Sequence, residues 1–250
     1  MELAEAVQRA IQEIADDPGE IVGRGADGAP SHRIDRVAER AVLQLLDYED
    51  VRINVLSEEA GYVDRDGDKT LVLDPVDGTH NAIRGVPAYA VSMAIGRERL
   101  SDVEEGLVRD LVTGASFHAR KGRGTTLNGR PIRVRRFVPD DSLFSVYLGT
   151  NAAPDAARVA SKARRVRNLG AASLDMCLVA RGAADLYYMH TAVHETKLRV
   201  VDIAASTLIV REAGGAVETL DGGDVDLALR TGERTDLVAF GDARAREAIR

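Results

Sequence analysis

The densest chemical signal in the chain is the run Leu71-Val72-Leu73-Asp74-Pro75-Val76-Asp77-Gly78-Thr79, an apolar strand ending abruptly in two carboxylates, a proline and a glycine. Pro75 lacks an N–H and fixes φ, so the strand is expected to turn there and to project Asp74 and Asp77 beside the Val76 carbonyl. Three hard oxygen donors would then converge, the donor type that divalent cations such as Mg2+ take. Gly78 and Thr79 follow with N–H groups able to face an anion, and the Thr79 hydroxyl can orient a water. Each dipeptide alone has a plainer reading, since Asp-Pro and Asp-Gly are ordinary turn formers and Asp-Gly-Thr can be a helix N-cap.

A second acidic element, Ser57-Glu58-Glu59, ends another apolar strand. Two adjacent acids brought beside Asp74 and Asp77 would repel them unless a cation neutralised the group. The third is Asp202, opening the apolar stretch Ile203 to Ala213 that Gly214-Gly215 terminates; a simple N-cap is the alternative for this residue.

The elements that must position these residues follow from periodicity. Leu3, Val7, Ala10, Ile11 and Ile14 predict a first helix, closed by Asp17-Pro18-Gly19. Gly23 to Pro30 reads as a flexible loop, followed by an amphipathic helix from about Asp35 to Leu46. Short β-rich runs then predict a mainly antiparallel sheet: Arg52–Leu56, Thr70–Leu73, Tyr89–Ile95, Gly106–Val112 and Ser116–Arg120. The second half alternates: strand Leu143–Leu148, helices Pro154–Arg164 and Ala171–Arg181, strand Ala184–Tyr188, helix Asp202–Ala213, strand Leu237–Phe240 and a closing segment Arg244–Ile249. Such alternation implies α+β layering, with halves 1–139 and 140–250 meeting at a soft boundary near Pro139 to Asp141.

Composition narrows the function classes. With 33 basic and 40 acidic side chains the net charge is −7, which argues against a field that attracts nucleic acid or anionic lipid. Only 4% of residues are aromatic and none is Trp, so stacking platforms for single strands are scarce. The basic run Lys162, Arg164, Arg165, Arg167 reads as a solvated face or as a receptor for a second phosphate. The single Cys177 excludes an internal disulfide and reads as a buried helical thiol. No apolar run reaches membrane-spanning length, so a cytoplasmic protein without membrane partners is expected. His190 and His194 have zinc-like spacing, but their segment lacks helical pattern and solvated histidines are expected.

Taken together, the acidic segments resemble the inositol monophosphatase and fructose-1,6-bisphosphatase superfamily, and within it the archaeal-type dual-specificity branch. Ser57-Glu58-Glu59 is similar to the family's Glu-Glu motif, Asp74-Pro75-Val76-Asp77-Gly78-Thr79 to its Asp-Pro-Ile/Leu-Asp-Gly-Ser/Thr signature, and Val201-Asp202 with the following helix to its Trp-Asp motif. Asn128-Gly129-Arg130-Pro131-Ile132 and the segment Val166 to Ala180 also match in order, so the likeness spans nearly the whole chain.

The resemblance implies a layered α-β-α-β-α sandwich and a phosphatase holding two or three Mg2+. Glu58, Asp74 and the Val76 carbonyl would bind one ion; Asp74, Asp77 and Asp202 a second; Glu58 would reach a third through water. Asp35 and Thr79 would orient and deprotonate the attacking water, and the amides of Gly78 and Thr79 would hold the phosphate. Arg165, Arg167, Ala171 and Glu195 are candidate substrate contacts. The expected substrates are inositol 1-phosphate and fructose 1,6-bisphosphate. Adenosine 3′,5′-bisphosphate, NADP or a non-catalytic partner-binding role are the alternatives. A homodimer and sensitivity to lithium are also implied. Val201 stands where the family has tryptophan, and Met189 about where relatives place a ring-binding carboxylate; Glu195, His190 or His194 could substitute for the latter. Replacing Asp77 with Asn is expected to stop turnover and to leave the metal-free melting temperature nearly unchanged.

Overall fold

A computed structural model describes residues 1–26 and 28–250. Helices α1 (Glu2–Gln12) and α2 (Arg33–Tyr48) pair through Ala4 and Val7 on one and Ile34, Ala38, Val42 and Leu46 on the other. The four-residue spacing places the α2 residues on one face, which is why this helix buries a single stripe. Between the helices, β1 (Ile21–Arg24) and β2 (Pro30–His32) form an antiparallel hairpin. Of the segment Gly23 to Pro30, expected as a flexible loop, Gly23, Arg24 and Pro30 belong to the strands of this hairpin, and Asp27 lies outside the described residues. All four β1 residues are exposed, so no apolar alternation betrays the strand.

The chain continues through β3 (Asn54–Ser57), β4 (Gly61–Val63), β5 (Thr70–Asp77), α3 (Thr79–Arg84) and β6 (Ala90–Gly96). Strands β7 (Glu105–Asp110), β8 (Ser116–Arg120), β9 (Gly124–Leu127) and β10 (Arg130–Ile132) complete an eight-stranded sheet of order β10-β9-β8-β7-β6-β5-β3-β4. Only β3 and β5 run parallel; the other neighbours are antiparallel, as expected. Strand β5 is buried along its whole length and serves two cores. Leu71 and Leu73 face α1 and α2, while Val72 between them faces the opposite side.

The second half supplies β11 (Leu143–Val146), α4 (Ala156–Ala160), β12 (Arg165–Arg167), α5 (Ala172–Ala180) and β13 (Leu186–Met189). It ends with β14 (Leu198–Arg199), α6 (Val200–Glu212), β15 (Ala216–Glu218), β16 (Arg234–Thr235), β17 (Leu237–Phe240) and α7 (Ala243–Glu247). Five of these strands form a mixed sheet of order β12-β11-β13-β17-β15. The helix expected over Pro154 to Arg164 shrinks to α4, after which residues 161–164 turn and Arg165 to Arg167 join the sheet edge beside β11.

Helices α5 and α6 fill the space between the sheets, and α4 and α7 cover the far side of the second sheet through Phe144, Val146, Leu186 and Phe240. The order of layers is α-β-α-β-α. Helix α6 is buried from Val200 through Val210, which requires apolar residues all round rather than on one stripe. It presses so closely on the eight-stranded sheet that a Cβ on Gly106 would sit 2.9 Å from the Ala205 carbonyl oxygen.

Candidate active site

Strand β5 does not turn at Pro75 but runs on to Asp77, with its pairing to β6 shifted between Asp74 and Asp77. That irregularity leaves Pro75 without a ladder partner, so its missing N–H costs no hydrogen bond. In a regular strand Asp74 and Asp77, three apart, would point to opposite faces. Here both reach one cavity of about 210 Å³ at the carboxyl end of β5. The Val76 carbonyl is held beside them because the Val76 amide donates to Oδ1 of Asp74 at 3.1 Å.

The adjacent glutamates part company. Glu58, just past β3, enters the same cavity, whereas Glu59 turns away, accepts from the Ser31 hydroxyl and lies 3.6 Å from Arg36. The expectation that both acids crowd the site therefore holds for Glu58 alone, because consecutive side chains at a strand end point in opposite directions. Asp202 arrives from the first turn of α6. Oxygens of Glu58, Asp74 and Asp202 lie within 4.8 Å of one another, a cluster able to hold a metal ion.

Burial leaves these acids poorly solvated. Asp74 is pushed well above the usual carboxylate range, first by burial and then by the charges of Glu58, Asp77 and Asp202. Glu58 is raised by burial against the opposing pull of Arg199. Burial also raises Asp77 to about 7, although hydrogen bonds from Ser173 and Ala172 oppose the shift. A divalent cation on hard oxygen donors is the partner that such a group fits.

Beside the carboxylates, Gly78 adopts φ +93° and opens α3, so the first amides of that helix border the cavity. A Cβ at Gly78 would lie 2.9 Å from the Ala88 carbonyl and 3.2 Å from the Ala171 side chain. The Thr79 hydroxyl is 2.9 Å from both Oδ1 of Asp35 and the Val76 carbonyl. Asp35, on the first turn of α2, is raised to about 7 by burial, with the Thr79 bond opposing.

The inositol monophosphatase family model matches residues 1–246. The chain belongs to that family. A fructose-1,6-bisphosphatase/inositol-1-monophosphatase of Methanothermobacter thermautotrophicus is 37% identical over 99% of this chain and 92% of its own length. A bifunctional NADP phosphatase/NAD kinase of Methanococcus maripaludis is 29% identical over 95% of this chain and 46% of its own length. Among solved structures, a hypothetical protein from Pyrococcus horikoshii with similarities to inositol-1 monophosphatase superposes with a TM-score of 0.83, at 30% identity, over 99% of this chain and 95% of that one.

In this inositol monophosphatase family member Ala171 lines the cavity, but Arg165, Arg167 and Glu195 do not. Arg165 is exposed on the edge strand and pairs with Asp141 at 3.2 Å, and the Arg167 guanidinium bonds the Val166 carbonyl. Glu195 lies on an exposed 3-10 turn, His194 to Thr196. The His190 imidazole is 2.7 Å from Oδ1 of Asp155, whose other oxygen accepts from Tyr188. None of the three candidates takes the place of a carboxylate at Met189, which lines the cavity itself with Tyr147 and Tyr187. Val201 is buried in the central core rather than among the ligands.

Arg199, Asp175 and Asn168 are among the cavity residues that escaped the motifs. Arg199, three before Asp202, bonds both Asp202 and Glu58. Asp175, an acid within an apolar helix, accepts from the Ser145 hydroxyl at 2.6 Å and the Leu169 amide at 3.1 Å. Asn168 reaches the same carboxylate at 3.4 Å. The signal for Asp175 was present: a charge in Ser173-Leu174-Asp175-Met176-Cys177 is costly unless it is used.

Proposed function

We propose that this chain is a Mg2+-dependent phosphomonoesterase of small phosphorylated polyols and sugars, with inositol 1-phosphate and fructose 1,6-bisphosphate as its substrates. The observation that carries the proposal is the convergence of Glu58, Asp74 and Asp202, from three separate elements, in a cavity that also presents Gly78 and Thr79. The 37% identity to an archaeal enzyme of both names supports the substrate pair.

Glu58, Asp74, Asp77, Asp202 and the Val76 carbonyl would hold two or three Mg2+. Bound there, the metal would supply charge neutralisation at the phosphate and acidify a water. The protein's own part is positioning. The Thr79 hydroxyl can donate its proton to Asp35 and so turn a lone pair to a water's hydrogen, and Asp35, raised to about 7, can take up the proton released. The amides of Gly78 and Thr79 would orient the phosphoryl oxygens. Both halves of the chain build the site, with Asp202 from the second facing Asp74 from the first.

Phosphate release from inositol 1-phosphate, fructose 1,6-bisphosphate, adenosine 3′,5′-bisphosphate and NADP, each with and without Mg2+, tests the proposal. Release from the first two only when Mg2+ is present is expected. Preference for NADP would favour the second reading, which the methanococcal relative supports. Hydrolysis of nothing in excess Mg2+ would leave a non-catalytic role. We further propose a cytoplasmic homodimer, for which sedimentation gives the assembly; among the described residues no helix is long and apolar enough to cross a membrane.

A further inference from the structure

Arg199 is the residue immediately before α6 and holds Asp202 twice. Its amide donates to Oδ2 of Asp202 at 2.7 Å, and its guanidinium reaches Oδ1 of the same carboxylate at 2.8 Å. The other guanidinium nitrogen, Nη1, bonds Oε1 of Glu58. Two of the three clustered carboxylates are therefore bridged by one positive side chain, itself largely buried. A guanidinium and a divalent ion cannot both sit on the same carboxylate oxygens without setting cation against cation at bonding distance.

We infer that Arg199 is an internal counter-ion of the carboxylate cluster, which Mg2+ must displace from Glu58 and Asp202, so that this side chain sets the Mg2+ affinity of the site. The inference rests on the metal reading above. Without a divalent ion, Arg199 is the cation that Glu58 and Asp202 share, and removing one partner of a buried ion pair is strongly destabilising. Arg199 supplies that partner at the cost of competing with the metal. Room for its displacement exists: a second cavity, of about 290 Å³, lies against Arg199 and Glu58 and is lined further by Ala26, Arg230, Gly232 and Arg234.

A pillar that remained in place would behave oppositely, by pre-orienting Glu58 and Asp202 for metal. Isothermal titration of Mg2+ into wild type and Arg199→Met, together with melting curves in EDTA and in excess Mg2+, separates the two. Displacement predicts Mg2+ binding roughly tenfold tighter in the variant. It also predicts a lower melting temperature in EDTA and a gap to wild type that closes with Mg2+. Equal or weaker Mg2+ binding, with the same melting deficit in both conditions, overturns the inference. Should Arg199→Met not fold in EDTA, Arg199→Lys gives the same comparison, because a single ammonium bridges two carboxylates less well than a planar fork. Tighter binding in that variant supports displacement, and unchanged or weaker binding refutes it. Absence of any Mg2+ heat with wild type would instead sink the metal reading.

Discussion

Replacing Asp77 with Asn should make the protein's pH dependence, rather than its stability at one pH, the informative quantity. Asp77 is raised from 3.8 to about 7 by burial in the folded chain. The folded state therefore holds its proton more tightly than the unfolded state, so this group's stabilisation is present at low pH and is lost as pH rises through about 7. Shifts of this kind are worth about 1.4 kcal/mol per pH unit. Between pH 8 and pH 5 the wild type should gain roughly 3 kcal/mol relative to Asp77→Asn, which cannot titrate. For a chain of 250 residues that corresponds to a swing of about 5–10 °C in the melting-temperature difference. Asp35 titrates over a similar range in both proteins and cancels in the comparison. The amide side chain also cannot accept from Ala172 and Ser173 on both sides as the carboxylate does, so an unchanged melting temperature is no longer expected. The assay is thermal unfolding of both proteins in EDTA across this pH range. Parallel profiles would show that Asp77 is ionised throughout and would refute the burial argument.

Three further outcomes are expected. Thr79→Val should lower kcat by roughly 10²- to 10⁴-fold while leaving Mg2+ binding by calorimetry intact, and comparable loss of Mg2+ affinity would mean that Thr79 serves the metal instead. Gly78→Ala should cost about 1–3 kcal/mol, from its positive φ and the collision with the Ala88 carbonyl, measurable by denaturant titration; a neutral change would contradict the close approach. Arg165→Ala should leave the kcat and KM of fructose 1,6-bisphosphate hydrolysis unchanged, because its guanidinium pairs with Asp141 outside the cavity; a selective rise in KM would restore it as a substrate contact.

The layered architecture was legible because its long elements carry strong periodicity: the apolar face of α2, the continuous apolar strand β5 and the helix α6. The acidic cluster was legible because Glu58, Asp74 and Asp202 stand where apolar elements end, positions at which a carboxylate is conspicuous. What escaped has physical causes. The β1–β2 hairpin buries little, and β9, β10 and β12 are short strands at or near a sheet edge, so burial pattern could not announce them. Pro75 misled because a proline is compatible with a strand wherever its neighbour's ladder slips. Arg165, Arg167 and Glu195 failed to reach the cavity because a charge near a site in sequence has many ways to face solvent. Arg199 was overlooked because its role depends on two acids, one of them 141 residues away in the chain.

The contact between Gly106 and Ala205 ties the chemistry to the deepest part of the molecule. Asp202 rides on a helix that at Gly106 meets sheet backbone with no side chain interposed, so the height of the helix above the sheet at that point is set by main-chain thickness rather than by adaptable packing. A single methyl group added at Gly106 would lever that helix outward and spread the carboxylates, far from any atom that meets substrate. Heritable variation in metal demand within this architecture need not arise among the ligands; it can be written into the seam between helix and sheet.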